Sequence, residues 1–448
     1  MVARMKEKEI VRGARGSAPA GGPSRPRILI LWIFILLLFP AIGKAFPPGK
    51  VIDHFSGKPV EGAAVMIGKS LQLTDAQGQF FKSNGDSRVL VKAHGYLRAE
   101  QAFVPHQEIK LIPFSPRALY LSFYGIGDRG LRNAALNLIR DTELNALVID
   151  VKGDKGMIPF PSSIPLAQEV GAQRLIIIKD MKGMVQSLKE NGIYTIARIV
   201  TFKDPLLSIK KPDWAVKNVN GEIWYDREKL TWVDPFMREA WEYYIQIAIE
   251  AAQCGFDEIQ FDYVRFPDSM KVRFSRPNTA ENRVRAITGF LMEAKNRLAP
   301  YNVFLAADIF GYVHWNYNDT DIGQKLENIS PHLDYLSPML YPSGFQFGIP
   351  GYRNPVAHPH EIVYLTLKKA QERTQLPPVR FRPWLQAFRD YAFDRRHFTA
   401  KEIKEQITAV EKFGSNGWML WNPRNVYNGE GLKKKEGFWT RAQSGEDS

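Results

Sequence analysis

The chain is poor in the residues that staple small proteins or hold metals. Among 448 residues there is one cysteine, Cys254, and there are eight histidines. A single cysteine excludes an internal disulfide framework, so stability must come from an ordinary apolar core. His54, His94 and His106 are scattered through turns, and His358-Pro-His360 lacks a third ligand at a usual spacing, which argues against a metal centre. No short repeat and no low-complexity tract is present. The most apolar run, Ile28–Phe39, stays below the ~20 residues of a membrane-spanning helix even when extended past Pro40 to Gly43.

What precedes and follows that run is informative. Arg4, Lys6, Lys8, Arg12, Arg15, Arg25 and Arg27 come before it, and Gly43-Lys44-Ala45 puts small residues after it. Basic, then apolar, then small is the order of a signal peptide. The same stretch read as an uncleaved anchor is the alternative, and in both cases the folded part faces away from the cytoplasm. Residues 1–45 hold eight Lys/Arg and two acidic residues, so they contribute +6 of the net +13 and leave about +7 for the rest. That balance suits a mildly anionic partner, and export makes nucleic acid an unexpected one. Contact with a membrane is expected only if the leader is retained.

Residues 47–113 alternate short strand-like runs with turns at Ser56-Gly57-Lys58-Pro59, Asp75-Ala-Gln-Gly78, Ser83-Asn84-Gly85-Asp86 and His94-Gly95. This spacing predicts a small antiparallel β-sandwich. Gly49, Val51, Asp53, Gly57, Pro59, Val60, Gly62, Ala63 and Val65, followed by Thr74-Asp75, Gly78, Phe80 and Ala93-His94-Gly95-Tyr96, resemble a carboxypeptidase-regulatory-like domain. The resemblance implies an accessory module without chemistry. A Pro-bounded linker, Ile112–Pro116, follows, and few contacts are expected to cross it.

Beyond residue 117 strands alternate with longer amphipathic stretches. Strands are predicted at Leu119–Phe123, Leu147–Lys152, Tyr194–Phe202, Glu258–Phe266, Val303–Phe310, Leu333–Tyr341, Val379–Phe388 and Gly417–Asn422. Helices are predicted at Leu131–Asp141, Met181–Asn191, Pro235–Cys254, Ala280–Leu298, Thr320–Ile329, Glu361–Arg373 and Lys401–Phe413, with Asp234 as the cap before Pro235. Eight β/α units between 117 and 430 define an α/β fold, a (β/α)₈ TIM barrel, before a polar tail at 431–448. Gly125-Ile-Gly127-Asp-Arg-Gly130 mimics a dinucleotide fingerprint, but eight units and export both oppose that reading, and no cofactor is expected.

Barrel enzymes carry their chemistry where strands end. Alternation along the fourth strand sends Ile259 and Phe261 outward and Glu258, Gln260 and Asp262 inward. Glu258 lies four residues below Asp262, about 13 Å down the strand, and is expected at the closed end. Asp150, Lys152, Asp262 and Asp308 are left as an upper ring. Two carboxyl groups can cleave a glycosidic bond, one donating a proton and the other attacking or activating water. Asp262 and Asp308 are the candidate pair, with Asp150 as a further catalytic candidate; ion pairing to Arg198 and Arg265 is the competing use of the same acids. Trp214, Trp224 and Trp232, in the long loop 203–233 with its Asn220-Gly221 turn, are expected to form a sugar platform. Lys152, Arg198, Gln260, Arg265, Tyr341, Trp384, Gln386, Trp421 and Asn422 complete the expected substrate contacts.

Several segments of the barrel resemble a bacterial family of glycosyl-hydrolase-like domains. They are Asn145–Lys152, Trp232–Pro235, Gly255–Pro267, Pro338–Ser343, Arg382–Gln386 and Gly417–Asn422. The resemblance implies the α-amylase-like grouping, with the nucleophile at the end of strand four and the acid at the end of strand five, here Asp262 and Asp308. The α-amylase pattern has Glu on strand five and a third acid on strand seven, where this chain has Gln386; that departure keeps Asp150 in play as the acid. The expected function is an exported glycoside hydrolase acting on a polysaccharide or oligosaccharide. A barrel that binds polysaccharide without cleaving it, as an envelope scaffold, is the first alternative. A metal-dependent hydrolase using His358 and His360 is the second.

Overall fold

The structure, a computed structural model, describes residues 49–81, 88–104 and 106–435. The predicted leader, residues 1–45, and all but residues 431–435 of the predicted tail 431–448 lie outside the described residues. In chain order the strands are β1 (Gly49–Asp53), β2 (Ala64–Ile67), β3 (Ser70–Leu73), β4 (Gln79–Phe80), β5 (Arg88–Lys92), β6 (Ala99–Ala102), β7 (Glu108–Leu111), β8 (Arg117–Leu121), β9 (Ala146–Lys152), β10 (Tyr194–Val200), β11 (Lys217–Asn218), β12 (Glu258–Asp262), β13 (Val272–Arg273), β14 (Phe304–Phe310), β15 (Tyr335–Met339), β16 (Trp384–Gln386) and β17 (Trp418–Trp421).

The first seven strands form two small sheets, β4-β1-β7 and β3-β2-β5-β6. Alternate residues of both, Val51, Val65, Phe80, Val91 and Ile109 among them, bury into one apolar cluster. Four of the five pairings are antiparallel other than β1 with β7, which run parallel, so the layer is not purely antiparallel as expected.

The remaining long strands close a parallel barrel in the order β8-β9-β10-β12-β14-β15-β16-β17 and back to β8. Each coincides with a strand predicted from the sequence. Every other residue points inward, and Ala118, Val148, Ile196, Ala306, Trp384 and Met419 fill the interior as a packed core. The opposite faces pack against the helices in a much larger cluster. The predicted helix at 320–329 shrinks to Leu326–Ile329, and the one predicted from Pro235 begins at Arg238 with Met237 as its cap. Asp234 instead accepts from Phe236 N at 2.9 Å and Ser275 N at 2.6 Å, tying two loops together. In the glycine-rich segment, a Cβ on Gly125 or Gly127 would lie 2.1 Å from Asn425 Oδ1 or 1.8 Å from Ile177 Cγ2. Those glycines are there for close packing.

The N-terminal sheets cap the lower end of the barrel, and the linker is not the sparse boundary expected. Arg98 donates to the carbonyls of Gly255 and Phe256 and to Asp257. Lys92 Nζ reaches Asp334 Oδ2 at 2.6 Å and Val303 O at 2.7 Å. Phe114 stacks on Tyr194. Inside that end, Glu258 is fully buried and paired with Arg382, and Tyr194 donates to it as well.

Candidate active site

At the other end one guanidinium organises three acids. Arg198, inward-facing on β10, donates from Nη1 to Asp150 Oδ1 of β9 at 2.6 Å. Its Nε donates to Asp262 Oδ2 of β12 at 3.1 Å, and its Nη2 bonds to the same oxygen. The Asp308 carboxylate on β14 stands 3.9 Å from Nε. Register explains the convergence: Arg198 lies opposite both Asp150 and Gln260, Asp262 ends β12, and Asp308 lies two residues before the end of β14. The Arg198 plane is held over the rings of Trp421, at 4.9 Å, and Tyr120, at 5.4 Å. Those rings stack on each other at 4.0 Å.

The three acids differ in what they have left to offer. Asp150 Oδ1 is taken by Arg198, while Oδ2 accepts from Tyr120 Oη at 2.7 Å and Phe123 N at 3.2 Å. Asp262 Oδ2 is taken by Arg198, and Oδ1 accepts from the N–H of Tyr263 at 2.6 Å. Tyr263 adopts φ +50°, a left-handed conformation that costs a bulky residue energy and turns the chain sharply after Asp262. Asp308 Oδ1 accepts from Trp384 Nε1 at 2.7 Å, and among the described residues its Oδ2 has only the distant Arg198.

Three carboxylates around one cation cannot all ionise cheaply. Burial, and then the charge of Asp262, push the Asp308 carboxyl well above the ordinary range, and Arg198 offsets only part of this. Burial also raises Asp150, opposed by Arg198 and by the Tyr120 hydroxyl. Burial alone would lower Arg198, but Asp150 and Asp262 more than compensate and hold it protonated.

A cavity of about 250 Å³ opens above this cluster, lined by Asp262, Asp308, Arg198, Tyr263, Arg265 and Tyr341, with Phe310, Met339, Phe345, Tyr391 and Trp421 closing its sides. Asp150 does not reach it. The two wall carboxylates flank one nitrogen, so their nearest oxygens are at most roughly 7 Å apart, an upper limit that admits the ~5–5.5 Å spacing of a retaining glycosidase pair.

Several expected contacts lie elsewhere. Lys152 is fully buried behind the barrel wall, with Nζ 3.0 Å from Asp204 Oδ2 and 2.7 Å from Val200 O, over the Tyr244 ring. A register shift between Arg198 and Ile199 skips one residue of β9 and turns Lys152 outward, where strict alternation had placed it inward. Gln260 sits lower in the core against Ser337 Oγ at 2.9 Å, and Gln386 is buried on Ser343 Oγ at 2.7 Å. Trp384 is buried and acts through Asp308. Asn422 donates to Ala387 O and Val426 O and so shapes a loop. The tryptophans of loop 203–233 are the loop's own core: Trp232 is buried with Nε1 on Asp226, and Trp214 and Trp224 pack half-buried on the main cluster. Arg265 pairs with neither acid; it lies over Trp232 and Tyr263 and donates to Phe266 O. His358 packs edge-on to Tyr352 and His360 stacks on Tyr364, and no group of three ligating side chains is assembled there among the described residues.

Reading the sequence missed Tyr120 and Tyr391. Tyr120 was accessible, since alternation on β8 sends Ala118 and Tyr120 inward together. Tyr391 sits on an irregular loop where no periodicity applies.

A packed parallel barrel with acids gathered at the ends of its strands defines the class: a (β/α)₈ barrel of glycoside hydrolase type. Residues 118–427 match the family described as "Putative glycosyl hydrolase domain", more than half of the sequence, and the chain belongs to that family. Among solved structures it is similar to the glycoside hydrolase domain of PgaB (BpsB) from Bordetella bronchiseptica, with 15% identity over 70% of this chain and 95% of that one and a TM-score of 0.51, a likeness of fold. A hypothetical protein from Ruminiclostridium thermocellum shares 39% identity over 42% of this chain and 96% of its own, with a TM-score of 0.37. A class V chitinase from Pseudomonas fluorescens shares 14% identity over 70% and 97%, with a TM-score of 0.43. No curated protein sequence matches the chain.

Proposed function

We propose that the protein is an exported glycoside hydrolase that cleaves a polysaccharide with Asp308 as the general acid and Asp262 as the nucleophile. One observation carries the assignment: of the three acids around Arg198, Asp308 alone combines a place on the cavity wall with a carboxyl oxygen free of hydrogen bonds among the described residues. Its burial beside Asp262 favours the neutral form that a proton donor needs. Trp384 fixes the carboxyl's orientation. Asp262 faces the cavity with its carboxylate partnered by Arg198 and the Tyr263 N–H, so forming a bond to the sugar does not strand Arg198, which keeps Asp150. Asp150, with both oxygens engaged and no place on the cavity wall, positions Arg198. The Arg4-to-Ala45 order supports export, and residues 47–113 are proposed as a carboxypeptidase-regulatory-like accessory module.

The non-catalytic alternative draws on a specific observation, the engagement of both Asp262 oxygens by protein donors. Reducing-end release from a panel of bacterial polysaccharides, with wild type, Asp262→Asn and Asp308→Asn in parallel, decides between them. Release that depends on both acids supports hydrolysis. Binding without release by the wild type supports the binding barrel.

A further inference from the structure

The cavity over Asp262 and Asp308 is not a closed well. It runs into a groove of about 910 Å³ across the loops that follow β16 and β17, and Tyr263, Tyr341, Tyr391 and Trp421 line both spaces. The cavity alone falls below the roughly 300–1,000 Å³ of ordinary small-ligand sites, and the groove lies near their upper limit. A substrate extending from the reacting bond through the groove is therefore several units long on this side.

The groove's charge is as distinctive as its size. Arg389 and Arg424 line it, are exposed and pair with no carboxylate among the described residues; the one polar contact of the Arg389 side chain is from Nε to Arg395 O at 2.6 Å. His397 adds an imidazole. Of the two lining acids, Glu228 is held by Lys203 at 2.8 Å, leaving Glu430 as the only one without an ion pair. Asp390, in the same loop, is turned inward onto Ser343 Oγ and the N–H groups of Ala392, Phe393 and Arg395. That buried carboxylate pins the loop and presents Tyr391, whose ring lies parallel to Phe388 at 6.2 Å, to the groove. Arg265, which makes no ion pair among the described residues, continues the basic character to the cavity wall. Guanidinium groups and aromatic rings lining one groove match a sugar chain bearing carboxylates: sugar rings meet the aromatic side chains, and acid groups meet the arginines.

We infer that the substrate of this site is an acidic polysaccharide, a uronate-containing polymer, bound along this groove with Arg389 and Arg424 reading its carboxylates. The inference rests on the hydrolase reading for the position of the reacting bond, but the recognition it describes is a matter of binding. The chain's surplus of basic residues outside the leader, about +7, points the same way.

The experiment measures binding, not turnover. Full-length Asp308→Asn protein is titrated with alginate, polygalacturonate and hyaluronan, and with carboxyl-reduced forms of the same polymers. The inference expects binding to at least one acidic polymer, loss of that binding on carboxyl reduction, and about tenfold weaker affinity in an added Arg389→Gln/Arg424→Gln pair with unchanged melting temperature. A Lys58→Gln/Lys69→Gln pair, exposed in the N-terminal sheets at the opposite end of the barrel, removes the same two charges and should leave affinity unchanged. Binding that survives carboxyl reduction, or that ignores the arginine pair, overturns the inference, as does absence of binding to every acidic polymer. If acidic polymers bind as expected yet wild type releases no reducing ends from them, the hydrolase reading fails and the inference stands.

Discussion

Two buried clusters of acids and guanidinium groups share this barrel, one at each end, and β12 contributes to both. At the lower end Glu258 meets Arg382, Asp257 meets Arg98, and Asp334 meets Lys92. Each acid there has a cation, and the N-terminal sheets close the end off. At the upper end three acids share Arg198, and the space above them is open. On the proposed reading, the same side-chain types serve structure where charges balance and chemistry where they do not. An excess carboxyl in a dry site holds a proton, and a held proton can be given away.

That contrast breaks most visibly in activity. Asp262→Asn and Asp308→Asn should each cut turnover by about 10²-fold to 10⁴-fold, read as reducing-end release, with the folded state retained. Equivalent damage at the lower end should spare turnover per folded molecule and appear in stability. Arg382→Met strands the buried Glu258 carboxylate and should cost about 3–5 kcal/mol in denaturant unfolding. Full activity loss in folded Arg382→Met would mean that the two ends are not separate.

Acidity sharpens the comparison further. Asp308 is raised above its unfolded value, so its proton is held longer in the native state than in the unfolded chain. Its contribution is fully present below the unfolded aspartate range and is lost as pH rises toward the folded value. Asp308→Asn should thus be more stable than wild type near neutral pH, with the gap closing on acidification; Asp334, which is lowered by Lys92 and His94 against the effect of burial, should show the reverse. For Asp334 stability is present above the unfolded range and is lost as pH falls through the folded value. The smallest expected effect is at the cap. Arg98→Ala removes bonds to Gly255 O, Phe256 O and Asp257 and should cost about 1–3 kcal/mol in thermal unfolding, with turnover unchanged.

The fold was legible because each barrel strand is an apolar run between helical stretches, and packing on both faces leaves such runs little choice. Alternation also separated Glu258 from Asp262 correctly, since β12 is regular between them. It failed for Lys152, because a register shift one residue earlier reverses the face and no local residue announces it. The tryptophans of loop 203–233 were misplaced for another reason: an aromatic residue in a long loop serves that loop's packing as readily as a ligand, and only Asp226 beneath the Trp232 nitrogen decides. The bond from Trp384 to Asp308 joins residues 76 positions apart, on strands separated by β15, and no spacing in the sequence carries it.

Whether Asp308 holds its proton can be measured without knowing the sugar. Side-chain ¹³C resonances of aspartate, followed in wild type, Asp308→Asn and Asp150→Asn, should show one carboxyl that ionises last, above the other raised aspartates Asp150 and Asp234. That signal should vanish in Asp308→Asn and persist in Asp150→Asn. Its absence from the wild type, or its loss only with Asp150, would contradict Asp308 as the proton donor.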